Sequence, residues 1–315
     1  PEAVLFIKNY LRFNAIKTYL KTFIEGIEKN LDYSDRIHPQ FMQCVTSTGR
    51  LSSRNPNFQN MPRGKTFPVR RAVVSRFEGG KILEGDYAQL EYRVAGFLSK
   101  DKHVYDNVES GVDVHNLTAT IITGKEKEDI TSEERQDAKA HTFAPLYGAT
   151  GMGLPEHIHR YYYQFTDVYP GIGEWHLRLA QEALKYKVIS LPSGREYRFP
   201  YVKRTARGIT HGTSVKNYPV QGFATADLLP SALVLTFEEF KKKKLKSLLC
   251  NTVHDSIVVD VHPDEEEIVI ETLKECMLSI PQQAKRRWGI NYDMPVGIEL
   301  KIGSNWLDTK EIFSN

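Results

Sequence analysis

Near the N-terminus apolar residues recur at helical spacing: Leu5, Ile7, Tyr10, Leu11, Ile16, Tyr19, Leu20, Phe23, Ile24 and Ile27. That period predicts a helix over residues 3–29. The stretch TSTGRLSSRNPNFQNMPR, dense in Ser, Thr, Asn, Gly and Pro, reads as loop. KILEGDY at 81–87 predicts a short strand ending at Asp86, and LEYRVAGFLS after it predicts a helix. Residues 103–190 read as largely helical, and PSGREYRFP within 188–200 predicts a hairpin. Another helix is expected at 222–243, then a buried strand or strand pair in LLCNTVHDSIVVDVH (248–262), an acidic helix at 264–280, and a last strand in MPVGIELKIG. This order predicts an α+β fold: one small antiparallel sheet with helices, and a helical insertion of about a hundred residues.

Composition changes this picture little. A chain of 315 residues can bury a large core and form more than one lobe. The net charge of +3 pulls only weakly toward a polyanion. Its distribution is uneven, with a basic run from Tyr186 to Lys216 and an acidic one over 263–275. Lys241–Lys244 suit a solvated helix C-terminus. Cys44, Cys250 and Cys276 form no CxxC pair. So sparse a set argues against a disulfide scaffold and for a reducing intracellular compartment: cytoplasm, host cytoplasm for a viral chain, or an organelle. Cys250 and Cys276 read as buried thiols. No apolar run is expected to span a membrane, and the start at Pro1 shows no signal-peptide pattern.

Within the apolar 248–262 segment stand His254, Asp255 and Ser256. A lone buried carboxylate is costly, so either the strand bends into a solvated hairpin or a cation waits nearby. Asp86 ends another apolar strand. Two such carboxylates brought together could share divalent cations, because Mg²⁺ takes oxygen ligands and keeps waters. Two plain hairpin-turn aspartates remain the alternative. In DITSEERQDAKAHTFAPLYGATG, Thr131 and Glu134 form a capping-box pattern that starts a helix near Ser132. Arg135, Lys139, Phe143 and Tyr147 then recur every fourth residue as one stripe, cationic early and aromatic late. Cations at a helix N-terminus suit a bound anion such as a triphosphate; a solvated basic turn with two core aromatics is the other reading.

Five blocks, in order, resemble the motifs of family A DNA polymerases, the bacterial DNA polymerase I type. DYAQLEYRVAGFLS resembles motif A (DYSQIELR), RQDAKAHTFAPLYG resembles motif B (RxxxKxxxFxxxYG), and VHDS resembles motif C (VHDE). TGRLSSRNPNFQNMP is similar to the family's TGRLSSxxPNLQNIP, and NYPVQGFATAD to NxPVQGxAAD. The resemblance implies a palm carrying the antiparallel sheet and a largely helical fingers insertion. The expected division is a thumb-base or lead-in helix over 1–45, palm over 46–102, fingers over 103–205 and palm again over 206–315.

It further implies a DNA-directed DNA polymerase, a nucleotidyltransferase active in DNA replication, that adds deoxynucleotides to a primer 3′-hydroxyl on a template. Asp86, Asp255 and the Tyr87 carbonyl would hold two Mg²⁺ ions, for which Mn²⁺ can substitute. Arg135 and Lys139 would hold the incoming triphosphate, with Lys139 also a proton donor to pyrophosphate. Phe143 would flank the nucleotide, Tyr147 stack at the template position, His115 in DVHNLTA meet the triphosphate, and Gln89 lie near the phosphates. Glu91 matches the steric gate that excludes a 2′-hydroxyl. Arg50, Asn57, Gln59, Asn217, Gln221 and His254 would line the primer–template groove, and Arg195 would meet the template backbone.

Ala88 and Tyr92 differ from the commonest motif A residues, as harmless changes, and two further residues depart from the pattern with more consequence. Ser256 replaces the motif C glutamate, removing a carboxylate near the metals. Pro145 should kink or end the motif B helix by clashing with the His141 carbonyl, which disturbs the posture of Tyr147. The family's thumb and proofreading exonuclease are expected outside this stretch, upstream on a longer chain or on a separate polypeptide. A non-catalytic module gripping primer–template or single strands is the rival reading, and a two-metal nuclease a third.

Overall fold

The structure, a computed structural model, describes residues 2–64, 66–206 and 208–315; the chain start at Pro1 lies outside them. Its strands are β1 (Gln40–Met42), β2 (Ser52–Arg54), β3 (Lys81–Tyr87), β4 (Val188–Ser190), β5 (Glu196–Arg198), β6 (Arg204–Thr205), β7 (Gly208–Ile209), β8 (Leu248–Val253), β9 (Ser256–Val261), β10 (Ile298–Gly303) and β11 (Thr309–Ser314). Among them helices dominate, and the α+β class holds. The chain divides into two compact units.

The first unit comprises the residues up to Tyr87, Ala232–Met277 and Ile298–Asn315. Its centre is a five-stranded sheet in the order β11-β10-β3-β9-β8, antiparallel throughout. Side chains alternate across β3. On one face Ile82 joins a cluster with Phe58, Met61, Val69, Val253, Val258 and Trp306. On the other face Gly85 lies under the helix Glu266–Leu278: a Cβ there would stand 2.5 Å from Met277 Sδ. Glycine is required because the helix packs directly onto the strand at that point. Tyr87 Oη, on the same face, donates to Met277 O at 2.8 Å.

The N-terminal helix forms as expected over Glu2–Tyr19 and continues through a π-helical turn at Leu20–Ile24. Its apolar period does not mark burial along its first half. Leu5, Phe6, Ile7 and Leu11 are exposed, whereas Tyr19, Phe23 and Ile27 pack on the cluster.

The second unit comprises Ala88–Ser231 and Leu278–Gly297 and is mainly helical. Thr131 and Glu134 make the reciprocal capping box that starts the helix Ser132–Thr142. Asp101 accepts the Val104 N–H at the start of the helix Lys102–Glu109 and the Ile172 N–H from the helix Pro170–Tyr186. Phe97 stacks with Phe223 and packs against Tyr292 in the core. The predicted hairpin is β4 paired with β5.

Several elements differ from the pattern-based reading. The helix expected at 222–243 starts at Gly212, runs through Pro219 and widens into a π-helix over Gly222–Leu228. Glycine and proline hid its first turns, and π-bulges absorb such irregularity. This helical run, Gly212–Lys242, is long and apolar enough to cross a membrane, contrary to expectation; 61% of its most apolar stretch is buried, as in a core helix. The acidic helix ends at Leu278, and a separate helix, Ile280–Trp288, follows. β11 was missed because TKEIFS is polar and mostly exposed, as befits an edge strand. Cys276 is buried, but Cys250 is exposed at an irregularity in β8.

Candidate active site

In the first unit the ladder sets the acidic pair. β3 and β9 run antiparallel with Asp86 opposite Ser256. β8 and β9 pair from Val253 opposite Ser256, so His254 and Asp255 form the two-residue turn between them. His254 takes the left-handed conformation, φ 56°. Tyr87 N donates to Asp255 O at 3.2 Å, tying the end of β3 to that turn. The 248–262 segment is thus a hairpin, and its carboxylate sits at the bend beside another carboxylate.

The electrostatics of the pair are unbalanced. Asp86 Oδ1 is buried and has no hydrogen-bond partner. Asp86 Oδ2 lies 3.4 Å from Arg63 Nη1, at a half-exposed guanidinium. Burial pushes the Asp255 carboxyl well above the usual range, the Asp86 charge pushes it further, and Arg63 pulls the other way. Two neighbouring carboxylates, one with an orphaned oxygen, are what a hard divalent cation would satisfy. The residues therefore fit such an ion, with ligands beyond the pair left to water and substrate: among the described residues no group of three or more His, Cys, Asp or Glu converges.

A polar rim surrounds the turn. His254 is held below its ordinary pKa by burial and by Arg50, Arg63 and Arg70. Gln59 Nε2 donates to Thr252 O at 3.1 Å, and Asn57 caps the short turn that presents Gln59. Thr46 Oγ1 holds the Arg50 carbonyl at 2.7 Å.

In the second unit the motif B stripe is broken. The helix ends at Thr142, Phe143 is its C-cap, and Pro145–Tyr147 form a 3₁₀ turn closed by Gly148 at φ 85°. Proline has no N–H to continue the α-helix. Arg135 Nε donates to Asp113 Oδ2 at 2.5 Å. Burial works to raise the Asp113 carboxyl, but Arg135 and the N–H groups of Asn116 and His115 hold it below the usual range. His115 Nδ1 lies 3.0 Å from Thr142 Oγ1, and its ring meets Phe143 edge-on at 5.4 Å. Burial lowers the His115 pKa, and Lys139 and Arg135 lower it further against Asp113, so the imidazole is neutral near pH 7. Phe143 also packs against Tyr92 at 5.5 Å.

Tyr147 Oη donates to Glu91 Oε2, tying the 3₁₀ turn to the helix Leu90–Ser99. Gln89, at φ 52°, begins that helix. Asn217 and Gln221 lie one turn apart on the helix from Gly212, and Asn217 Oδ1 is buried without a partner. Arg195 is engaged by Asp227 at 2.7 and 3.0 Å, with Ser193 on the same carboxylate.

Residues 2–308 match the family described as DNA polymerase family A. The chain belongs to DNA polymerase family A. It is 33% identical over 318 residues to the DNA polymerase I of Aquifex aeolicus (strain VF5), covering 97% of this chain and 51% of that protein. It is 30% identical over 319 residues to the DNA polymerase I of Lactococcus lactis subsp. cremoris (strain MG1363), covering 96% of this chain and 35% of that protein. The chain thus spans between about a third and a half of these relatives. Among solved structures it is similar to the polymerase domain of Pol1 from M. smegmatis in complex with DNA primer-template and dNTP. That likeness has a TM-score of 0.80 at 26% identity and covers 93% of this chain and 52% of the other.

The first unit thus brings together Asp86, the Tyr87 backbone and Asp255, with His254, Gln59, Asn57 and Arg50 on the same unit. The second carries Arg135, Lys139, His115, Phe143, Tyr147, Glu91, Gln89, Asn217, Gln221 and Arg195. Sequence reasoning overlooked Arg63 and Glu84, and gave Asp113 and Tyr92 no role at the site. Asp113 carried a signal as the N-cap before the helix Val114–Thr123. Glu84 also carried one, as a charge inside an apolar strand two residues before Asp86.

Proposed function

We propose that this chain is the palm-and-fingers core of a template-directed DNA polymerase that extends a primer 3′-hydroxyl with deoxynucleotides, on a primer–template and dNTPs. The observation that carries it is the acidic pair: Asp86 with a buried, unpartnered oxygen beside Asp255, whose charge burial and Asp86 both disfavour, in a member of this family. Asp86, Asp255 and the Tyr87 carbonyl would hold Mg²⁺, with Mn²⁺ as substitute. When bound, a pair of such ions activates the attacking oxygen and stabilises the leaving one.

The rest falls to the chain's own side chains. Arg135, fixed by Asp113, and Lys139 bind the triphosphate, and Lys139 supplies a proton to the leaving pyrophosphate oxygen. His115 meets the triphosphate, and Gln89 lies beside the phosphates. Glu91, steadied by Tyr147, blocks a 2′-hydroxyl. Phe143, braced by Tyr92 and His115, flanks the nucleotide. Arg50, Asn57, Gln59, His254, Asn217 and Gln221 meet the minor-groove acceptors common to all base pairs, so they sense geometry rather than sequence. Arg195 meets the template strand while anchored on Asp227. Catalysis is positioning and charge neutralisation. The function belongs to a reducing intracellular compartment.

Primer extension with Mg²⁺ tests this. The chain should extend a primer–template by template-matched deoxynucleotides. Tight primer–template binding with no extension in Mg²⁺ or Mn²⁺ would instead establish the non-catalytic module.

A further inference from the structure

Position 256, where the family's motif C carries a glutamate, is Ser256, yet the structure does not leave that spot without a carboxylate. Ser256 is fully buried, and its Oγ lies 3.1 Å from Glu84 Oε1 and 3.1 Å from Val253 O, so its one proton is shared between the two acceptors. Glu84 lies on β3 two residues before Asp86, so both side chains stand on the same face, and Glu84 is only 9% exposed. Its other oxygen accepts Trp306 Nε1–H at 3.1 Å. Glu84 and Asp86 line one cavity of about 130 Å³, shared with Arg63, Arg70, Glu299 and Lys301.

A buried carboxylate inside an apolar strand needs a reason. Pairing with Arg70 is not sufficient. The closest approach is 3.8 Å, and Arg70 is already held by Met61 O at 3.1 and 3.3 Å and stacked 4.0 Å from the Trp306 ring. A glutamate at 256 would place a second carboxylate against the first, with the one guanidinium of Arg70, 3.8 Å from Glu84, beside both. A serine there offers a donor instead, so the two positions are complementary.

We infer that Glu84 is a positioning residue of the acidic site: it does not join Asp86 and Asp255 as a ligand, but from β3, through Ser256, it sets a further negative charge behind the pair. The inference rests on the proposed cation site. The negative charge of Glu84 beside Asp86 strengthens cation binding, and its hydrogen bond to Ser256 holds the first residue of β9, next to Asp255, in place.

The test is Mn²⁺ binding to the whole chain, read from loss of the free-ion electron paramagnetic resonance signal, together with thermal melting. Wild type should bind Mn²⁺, and Asp255→Asn should lose that binding. Glu84→Gln should weaken it about three- to tenfold, the effect of one partly neutralised charge at close range. Ser256→Glu should lower the melting temperature. The double exchange Glu84→Ser with Ser256→Glu should restore both melting and Mn²⁺ affinity to within about twofold. If Asp255→Asn loses Mn²⁺ while Glu84→Gln binds as wild type, Glu84 is only structural and this inference falls, with the cation site intact. If the double exchange melts like wild type but keeps the weakened affinity, the inference falls likewise. If wild type binds no Mn²⁺, the cation site itself falls.

Discussion

The two units place their candidate site residues by different means. In the first, the acidic residues are placed by a ladder: Asp86 opposite Ser256, Asp255 in a two-residue turn, Tyr87 N on the Asp255 carbonyl. Backbone hydrogen bonds set the register, and a one-residue slip would turn Asp86 to the helix-covered face. In the second, the cationic and aromatic residues ride on a short helix that stops at Thr142. Side chains hold them: Arg135 on Asp113, His115 on Thr142, Tyr147 on Glu91. The acidic residues are therefore set by the backbone, and the cationic and aromatic ones by side-chain bonds.

The sharpest way to break the contrast is to neutralise the ladder-set pair. Asp255→Asn should lower the extension rate by about a thousandfold or more, since a lost cation site removes the main charge stabilisation. Primer–template binding in a gel shift should stay near wild type. Retained extension would take Asp255 out of the reaction. Next, Lys139→Ala should cost about a hundred- to thousandfold in single-turnover incorporation by removing a charge on the triphosphate; a loss below about fivefold would show that the helix does not hold that group.

Glu91→Ala tests the second unit more finely. Freed of its carboxylate, the chain should incorporate ribonucleotides at least about tenfold better relative to deoxynucleotides, and unchanged sugar selectivity would remove the gate assignment. A smaller effect concerns His115, which is held below its ordinary pKa of 6.5. The unfolded chain binds that proton more readily than the folded one, so His115 should cost stability progressively as pH falls below 6.5. The melting temperature of wild type relative to His115→Gln should therefore drop between pH 8 and pH 5, and a flat difference would contradict the buried, neutral ring. Smallest of all, Thr131→Ala should remove about 1 kcal/mol of stability by breaking the capping box, without altering Mn²⁺ binding.

Much of this was legible in the sequence because its signals were local. The helix Ser132–Thr142 announces itself by its capping box, the β3 strand by KILEGDY, and the end of the motif B helix by Pro145. Asp86 and Asp255 were legible as charges where apolar strands end. What stayed hidden was relational. Period and composition do not say that β3 lies beside β9, so the contact between Glu84 and Ser256 across 172 positions could not be seen. Nor could the Asp113 grip on Arg135, nor the packing of Tyr92 on Phe143, which turns an apparently harmless departure in motif A into a brace. The first turns of the helix from Gly212 were obscured by glycine and by Pro219, whose local preferences tertiary packing overrides.

The most direct measurement is an anomalous-scattering map from crystals of the chain grown with Mn²⁺, primer–template and a non-hydrolysable deoxynucleoside triphosphate. The account predicts manganese peaks bridging the carboxylates of Asp86 and Asp255. Peaks elsewhere with none at that pair, in crystals where the nucleotide is bound, would contradict it.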